Sequence, residues 1–152
     1  MGFQKTLVLV AALSASPSTA KVDRFEELYC LANNIYFESR NQPKLGQIAV
    51  GQVTMNRVNS PKFPNTVCGV VKQGGEKRNR CQFSWYCDGK SDEHEGGTAW
   101  DESVYLALLL YSEEFTIDVT EGALWYHATY VSPSWAEHYE KTVRINEHIF
   151  YR

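Results

Sequence analysis

Helical periodicity in separate parts of the chain is the feature that most restricts how this sequence can fold. The first apolar stripe follows the 3.6-residue spacing of one helix face and consists of Phe25, Leu28, Ala32 and Ile35. Glu38 falls one step further along the same face. We therefore expect a helix that turns an acidic side chain toward the protein interior near its end.

The same spacing predicts two further helices. One begins at Pro43, because proline is tolerated in a first helical turn, and its inner stripe consists of Leu45, Ile48, Ala49, Val53 and Asn56. The other is capped by Thr98, and its core-facing residues are Trp100, Val104, Ala107, Leu108 and Tyr111. Prolines and glycines between residues 60 and 97 indicate loops and one small hairpin. A short strand or extended arm is expected in the last forty residues.

Length and charge limit the class of protein. A chain of 152 residues is long enough for one domain, and its 43% hydrophobic residues exclude a disordered chain. The predicted fold class is α+β, mainly helical, in a single domain with a small β hairpin. The formal net charge of −3 supplies no positive field for nucleic acid, which is therefore not an expected partner.

The first twenty residues have the pattern of a secretory signal. Lys5 precedes an apolar run over 7–13, and the small residues Ser18 and Ala20 occupy the −3 and −1 positions of a cleavage site. Residues 1–20 are therefore predicted to be a signal peptide, and residues 21–152 the single folded domain. The run is shorter than the roughly 20 apolar residues that cross a bilayer, so no stable membrane span is expected after processing. The mature chain is expected in the periplasm, the cell wall or the extracellular space.

An even number of cysteines in an exported chain favours disulfides. The four are Cys30, Cys68, Cys81 and Cys87. Two bridges are expected, and three pairings remain possible. Neither paired Cys-x-x-Cys spacing nor a His-Glu-x-x-His motif is present, so we expect no metal and no cofactor.

Glu38 is the acidic residue with the most informative position. Burial raises the pKa of a carboxyl group, and a proton retained near neutral pH is what a general acid donates to a glycosidic oxygen. The alternative is an exposed glutamate at the helix end that pairs with Arg40 or Lys44.

Eight short blocks of the chain resemble, in order, the motifs of the SleB/CwlJ-type cell wall hydrolases. They lie at 31–40, 46–50, 55–58, 63–64, 67–71, 82–84, 125–127 and 133–135. The segment 81–89 is similar to members from Gram-negative bacteria and their phages. The family's catalytic glutamate falls on Glu38, whereas the second glutamate of the same motif is replaced by Gln42.

The resemblance implies a compact lysozyme-like domain that cuts the glycan strands of peptidoglycan. The bond is the linkage between N-acetylmuramic acid and N-acetylglucosamine, cleaved by a lytic transglycosylase or a muramidase that works as a monomer. The motifs also imply a set of substrate-binding residues, namely Tyr36, Gln47, Asn56, Arg57, Gln82, Ser84, Trp85, Tyr126, His127 and Trp135. Asn56 and Gln82 are equally well explained as buried amides that satisfy loop backbone, and the tryptophans as core residues.

Several questions stay open at the sequence level. A second catalytic carboxylate would come from Asp88, Asp92 or Asp101. A basic cluster either contacts peptide-stem carboxylates or forms an ordinary solvated loop, and it consists of Lys72, Lys77, Arg78 and Arg80. Two other classes of protein compete with a glycan-cleaving enzyme. One is an exported amidase or peptidase that uses Cys30 and His127, and the other is a glycan-binding module without catalysis.

Overall fold

The computed structural model describes residues 23–112 and 115–152. The predicted signal peptide at 1–20 lies outside the described residues. The helices are α1 (Arg24–Ser39), α2 (Lys44–Val58), α3 (Val67–Val71) and α4 (Gly97–Tyr111), and the strands are β1 (Trp125–Ala128), β2 (Lys141–Ile145) and β3 (His148–Tyr151). Two 3₁₀ turns add Ser84–Cys87 and Ser134–His138. The prediction of a mainly helical α+β fold is confirmed.

Helix α1 is the central element, and it is enclosed by the other three helices. Asp23 caps its first turn by accepting a hydrogen bond from the backbone N–H of Phe25 at 3.0 Å. Every residue from 30 to 36 is buried, so apolar spacing on a single face describes only part of its contact surface. The core built around it includes Leu31, Ile35 and Leu106.

Helix α2 lies between the helical core and the sheet. A side chain at Gly51 would collide with Leu110 of α4 and press on Ile35 of α1, so the missing side chain is what allows the helices to approach closely. On its other side, α2 contributes to a second apolar cluster that consists of Ala49, Val53, Ala123, Ile145 and Phe150. This arrangement fixes the sheet against the end of the helical bundle.

The sheet has the order β1-β3-β2, and both pairs are antiparallel. In the β1–β3 pair, Tyr126 lies opposite Phe150 and His127 opposite Ile149. Facing residues in an antiparallel pair project to the same side, and successive residues alternate. Tyr126 and His127 therefore project to opposite faces of the sheet.

Some details of the predicted elements were wrong. Three residues that were predicted to face the core are exposed, namely Phe25 (78%), Leu45 (49%) and Leu108 (50%). Phe25 and Leu45 lie in first helical turns, beyond the enclosed part of the bundle. Leu108 is exposed because the buried face of α4 is formed by Ser103, Leu106, Ala107 and Leu110. Gly96, not Thr98, precedes the first turn of α4. The segment 82–86 contributes to a 3₁₀ turn, and the hairpin is formed by β2 and β3.

Two disulfides join the four cysteines, as predicted. They link Cys30 to Cys68 and Cys81 to Cys87. The first ties α1 to the short helix α3, and the second closes the loop that carries Trp85. Among residues 23–112 and 115–152, no helix combines the length and hydropathy that a bilayer crossing requires.

Candidate active site

Glu38 lies in the last turn of α1 and is held by a side chain from the sheet. The hydroxyl of Tyr126 on β1 donates a hydrogen bond of 2.8 Å to Glu38 Oε2. The helix ends directly after it, where the Ser39 hydroxyl donates to the backbone carbonyl of Ile35 at 2.8 Å. The alternative of an exposed ion pair is wrong. Lys44 pairs with Glu102 at 2.8 Å, and the Arg40 guanidinium lies 4.7 Å from the centre of the Tyr36 ring.

Burial raises the pKa of Glu38 above its usual value. The hydrogen bond from Tyr126 and the positive charge of Arg57 lower that pKa in part, because both favour the ionised carboxylate. Burial and the neighbouring Glu38 raise the pKa of Tyr126 well above its usual value. Tyr126 therefore stays protonated and remains a hydrogen-bond donor to Glu38.

Arg57 provides a fixed positive charge beside this pair. It is only 2% exposed, and its Nε donates to the backbone carbonyl of Leu124 at 2.7 Å. The guanidinium also lies over the rings of Phe63 and Phe83, at 5.2 and 5.0 Å from their centres. Burial lowers its pKa to about 10, so it remains charged at neutral pH. Its Nη1 is buried and has no hydrogen-bond partner.

An aromatic wall borders the end of α1. The Trp85 ring stacks on the Phe37 ring with 4.7 Å between their centres. Trp85 Nε1 donates to Asn34 Oδ1 at 2.9 Å, and Asn34 Nδ2 donates to the Thr54 hydroxyl at 3.0 Å. This chain of contacts fixes Trp85 against Phe37 and Asn34 in the last turns of α1.

Two predicted binding residues lie on the other face of the sheet. His127 Nε2 is 2.9 Å from the Tyr151 hydroxyl, and the His127 ring lies edge-on to Trp135 with 5.6 Å between centres. Because His127 and Tyr126 are neighbours in one strand, the structure does not bring His127 or Trp135 together with Glu38.

Asn56 is bonded to the loop before β1, whereas Gln82 is exposed. Asn56 Nδ2 lies within hydrogen-bond distance of Asp118, Thr120 and Ala123, which ties α2 to the turn before β1. Asn56 is therefore a structural amide that satisfies loop groups. Gln82 and Ser84 are both exposed at the start of the disulfide-closed loop.

The remaining predicted residues support the helix ends. Tyr36 is buried, and its hydroxyl accepts from the backbone N–H of Glu95 at 3.4 Å. Gln47 is also buried, and its Nε2 donates to the backbone carbonyl of Gln42 at 3.0 Å. Gln42 in turn donates to Glu147 at 3.1 Å. A glutamate at position 42 would face a second carboxylate here, whereas the amide of Gln42 supplies a donor.

None of the three candidate second carboxylates makes a hydrogen bond to Glu38 or is among the groups that shift its pKa, in the described part of the chain. Asp88 accepts a hydrogen bond from the backbone N–H of Lys90 at 2.8 Å, and Asp101 is exposed on α4. Desolvation and the charge of Asp88 raise the pKa of Asp92. The groups that shift the pKa of Glu38 are Tyr126 and Arg57, and neither is a carboxylate.

The disulfide pairing bears on the Cys/His amidase or peptidase hypothesis. Cys30 is bonded to Cys68 and cannot serve as a free thiol nucleophile. Within 23–112 and 115–152, no group of three or more His, Cys, Asp and Glu side chains could hold a metal ion.

Several buried polar residues of α1 were not predicted from the sequence, among them Asn34 and Glu27. Asn34 lies one helical turn before Glu38, and this spacing of four could have indicated it. Glu27 is also buried, and its carboxylate accepts the backbone N–H of Cys68 at 3.1 Å at the start of α3. No local pattern marks Glu27, because its partners lie about forty residues further along the chain.

Comparison with known proteins gives a consistent set of relatives. The sequence profile of a family described as Cell Wall Hydrolase matches residues 41–151, which begin three residues after Glu38. The spore cortex-lytic enzyme of Bacillus subtilis (strain 168) is 34% identical over 126 residues, which are 82% of this chain and 37% of that protein. The enzyme of the same name from Bacillus cereus is 53% identical over 45 residues, which are 30% of this chain and 17% of that protein. This chain therefore spans well under half the length of these curated relatives.

Two solved structures have the same fold. The catalytic domain of the Bacillus cereus SleB protein is 30% identical with a TM-score of 0.64, over 84% of this chain and 91% of that one. The catalytic domain of the germination-specific lytic transglycosylase SleB from Bacillus anthracis is 28% identical with a TM-score of 0.67, over 90% of this chain and all of that one. The similarity thus covers the helices and the sheet together.

Proposed function

This chain belongs to the cell wall hydrolase family, and we propose that it cleaves the glycan strands of peptidoglycan with Glu38 as its catalytic acid. The observation that carries the proposal is the partly buried carboxyl of Glu38, whose pKa is raised by desolvation and which accepts a hydrogen bond from the Tyr126 hydroxyl at 2.8 Å. The two SleB structures support it, because one of them is described as a lytic transglycosylase.

In the first step, Glu38 donates its proton to the glycosidic oxygen. The raised pKa lets Glu38 hold its proton to higher pH than an exposed glutamate does, as general acid catalysis requires. Tyr126 restricts the rotation of the carboxyl by its hydrogen bond, so the proton is presented in one direction. The bond to C1 of muramic acid breaks, and positive charge develops on the sugar.

In the second step, the Glu38 carboxylate acts as a base. It takes the proton of the C6 hydroxyl of the same sugar, whose oxygen then bonds to C1 and forms a 1,6-anhydro ring. The buried charge of Arg57 and the hydrogen bond from Tyr126 both favour the carboxylate that exists between the two steps. Glu38 ends the cycle protonated, and no water is consumed.

The single carboxyl favours this route over hydrolysis. A retaining glycosidase uses a second carboxylate about 5 Å away, and an inverting one uses a carboxylate about 6.5–9.5 Å away. The groups that act on the pKa of Glu38 include no such carboxylate. We therefore assign the chain to the lytic transglycosylases rather than the muramidases.

The setting of the reaction follows from the substrate. Peptidoglycan lies outside the cytoplasmic membrane, so the enzyme acts there as an exported protein with residues 1–20 as its signal peptide. Two disulfides support an oxidising compartment. We further propose that it acts as a monomer, because Glu38, Tyr126 and Arg57 all come from one chain.

Digestion of purified sacculi followed by mass spectrometry tests the proposal. The expected products carry 1,6-anhydromuramic ends, which are one water lighter than reducing ends. Glu38→Gln should retain binding to sacculi but lose more than about tenfold in rate, or over 1.4 kcal/mol of transition-state stabilisation. Asp88→Asn, Asp92→Asn and Asp101→Asn should each keep most of the activity.

Two results would contradict the proposal at different levels. Reducing muramic ends, together with a large loss in one of the aspartate variants, would indicate a two-carboxylate muramidase. Binding to sacculi without any released fragments would indicate a glycan-binding module instead of an enzyme.

A further inference from the structure

The structure separates the predicted basic cluster into one paired lysine and three unpaired cations. Lys72 pairs with Glu26 of α1 at 3.4 Å. Lys77, Arg78 and Arg80 are exposed, and none of them lies within ion-pair distance of a carboxylate that the structure describes. We refer to residues 74–80, which carry these three cations, as the basic loop. The proposed mechanism uses none of its charges.

Charge is unevenly distributed along the chain. Residues 72–90 contain five basic and two acidic side chains, which gives a formal charge of +3, whereas the rest of the chain carries −6. Three cations within four residues repel one another, and folding does not bring a carboxylate of the acidic remainder against them. An anionic ligand that binds to the basic loop removes this repulsion.

The basic loop is held in place at both ends. A side chain at Gly74 would collide with the backbone carbonyl of Arg80, so the loop closes tightly on itself. The backbone N–H of Asn79 donates to the carbonyl of Cys87 at 3.3 Å, and Cys87 is bonded to Cys81 directly after the loop. Because the backbone that carries the cations is already fixed, less conformational entropy is lost when a ligand binds.

Arg78 is the best ordered of the three cations. A Cβ atom at Gly89 would lie 3.1 Å from one Nη atom of Arg78, so the guanidinium packs over the bare backbone of that glycine. A guanidinium binds a carboxylate through two parallel N–H···O hydrogen bonds, and a lysine binds one as a point charge. The basic loop therefore offers two forks and one ammonium group to carboxylates on a flexible ligand.

The polypeptide that follows the basic loop is attached to the helix that carries Glu38. Trp85 lies between Cys81 and Cys87, and its ring stacks on Phe37 of α1 with 4.7 Å between centres. A peptidoglycan strand consists of neutral sugar rings from which peptide stems branch at muramic acid, and each stem carries several carboxylates. Stem carboxylates are therefore the anions that the substrate itself supplies.

We propose that the basic loop binds the carboxylates of the peptide stems, and so makes peptide-bearing strands the preferred substrate. The inference rests on the proposed action on peptidoglycan. The ligand is the charged stem and not a sugar ring, because the three exposed cations supply the attraction.

The test measures binding without cleavage, by co-sedimentation of the disulfide-bonded Glu38→Gln protein with purified sacculi. Adding Lys77→Gln/Arg78→Gln/Arg80→Gln should weaken the affinity about tenfold at low salt and reduce its dependence on salt. Sacculi whose stem carboxylates are converted to methylamides, by carbodiimide and excess methylamine, supply the complementary change. They should bind the parent protein about tenfold more weakly and the triple variant unchanged.

A matched variant controls for total charge. Arg24→Gln/Lys141→Gln/Arg144→Gln removes one lysine and two arginines at exposed positions outside the basic loop. It should bind unmodified sacculi as the parent protein does. Thermal melting checks that both triple variants are folded, and both are expected to fold because every substituted side chain is exposed.

Three results would overturn the inference. Equal losses of affinity in the two triple variants would mean that only total charge matters. An unchanged affinity in the loop variant would make the basic loop an ordinary solvated segment. Salt-dependent binding to phosphatidylglycerol vesicles, lost in the loop variant while binding to sacculi is retained, would assign the loop to a lipid surface.

Failure of the inference and failure of the proposed function can be told apart. Release of 1,6-anhydromuramic products by the unmodified chain would leave the proposed function standing in each of these three cases. Binding that depends on the loop charges and on the stem carboxylates, without any cleavage by the unmodified chain, would remove the proposed function and retain the stem-binding site.

Discussion

Two opposing influences set the proton affinity of Glu38. Burial favours the neutral acid, whereas the Tyr126 hydroxyl and the Arg57 charge favour the carboxylate. The net result is a raised pKa with a carboxylate that is still supported. A group that must donate a proton and then accept one needs both its protonated acid and its carboxylate to be accessible in the site.

Removing the Tyr126 hydroxyl should move the pH dependence of the reaction. In Tyr126→Phe the carboxylate loses a donor, so the pKa of Glu38 should rise further and the group should stay protonated to higher pH. The alkaline limb of kcat/KM should therefore shift upward, while the rate falls by about tenfold because the carboxyl is less well oriented. Dye release from labelled sacculi across a pH series measures both effects.

A tyrosine on the other face of the sheet provides the control. Tyr139 stacks on Trp125, with 3.9 Å between ring centres, and does not touch Glu38. Tyr139→Phe should leave the alkaline limb in place. An unmoved limb in Tyr126→Phe would show that the hydrogen bond does not tune the acid.

Glu38 should also reduce the stability of the fold at neutral pH. Its folded-state pKa is raised, so the folded protein holds the proton more tightly than the unfolded chain does. The loss in free energy of unfolding that Glu38 causes is absent below about pH 4.5, the pKa of this carboxyl in the unfolded chain. The loss grows as the pH rises through the folded-state pKa. Glu38→Gln should therefore melt roughly 3 °C higher at pH 7, and the gain should vanish near pH 4. Equal melting temperatures of the unmodified protein and Glu38→Gln at pH 7 would show that the Glu38 carboxylate does not destabilise the fold.

At the scale of elements, Arg57 joins α2 to the sheet. Its Nε donates to Leu124 immediately before β1, and its guanidinium is buried between two rings. Arg57→Met keeps much of the apolar volume but leaves the Leu124 carbonyl unpaired. We expect a loss of about 2 kcal/mol in the free energy of unfolding, measured by urea denaturation.

An exposed arginine of the sheet serves for comparison. Arg144 on β2 is exposed, and its Nε is 3.4 Å from the Asn146 carbonyl. Arg144→Met should change the free energy of unfolding by less than about 0.5 kcal/mol. Similar losses of unfolding free energy in both variants would mean that Arg57 stabilises the fold no more than an exposed arginine does.

The sequence predicted elements better than it predicted faces. The helix ending near Glu38 and the helix starting after Pro43 were predicted because apolar spacing and proline are local signals. Leu108 was assigned to the core wrongly, because a helix that is apolar on several sides does not reveal which one is covered. The opposite directions of Tyr126 and His127 were not predicted, since the sequence indicated a strand only somewhere in the last forty residues and the motif did not assign 125–128 to it.

At the scale of the whole molecule, the two disulfides should differ in their contribution to stability. The Cys30–Cys68 bridge spans 38 residues, whereas Cys81–Cys87 spans 6. Restriction of the unfolded chain predicts about 4 kcal/mol for the longer loop and about 2 kcal/mol for the shorter one. Denaturation of Cys30→Ala/Cys68→Ala and of Cys81→Ala/Cys87→Ala measures the difference.

The same bridges make a chemical prediction for the intact protein. Unreduced protein that is unfolded in guanidinium should show no titratable thiol, since all four cysteines are paired. Reduction should then lower the melting temperature. Two free thiols per chain in the unreduced state would contradict the pairing.

The hydrogen bond between Glu38 and Tyr126 also bears on when activity arises during folding. The two residues are 88 positions apart in sequence, so their contact closes a long loop, and loops of this length slow folding. All four helices precede residue 112, and local helical contacts form faster than the pairing of β1 with β3. A nascent chain can therefore contain Glu38 in a formed helix α1 before Tyr126 is in place to orient its carboxyl. Catalytic competence should therefore be acquired late, at the docking of the sheet, and refolding monitored by activity should lag behind refolding monitored by helical circular dichroism.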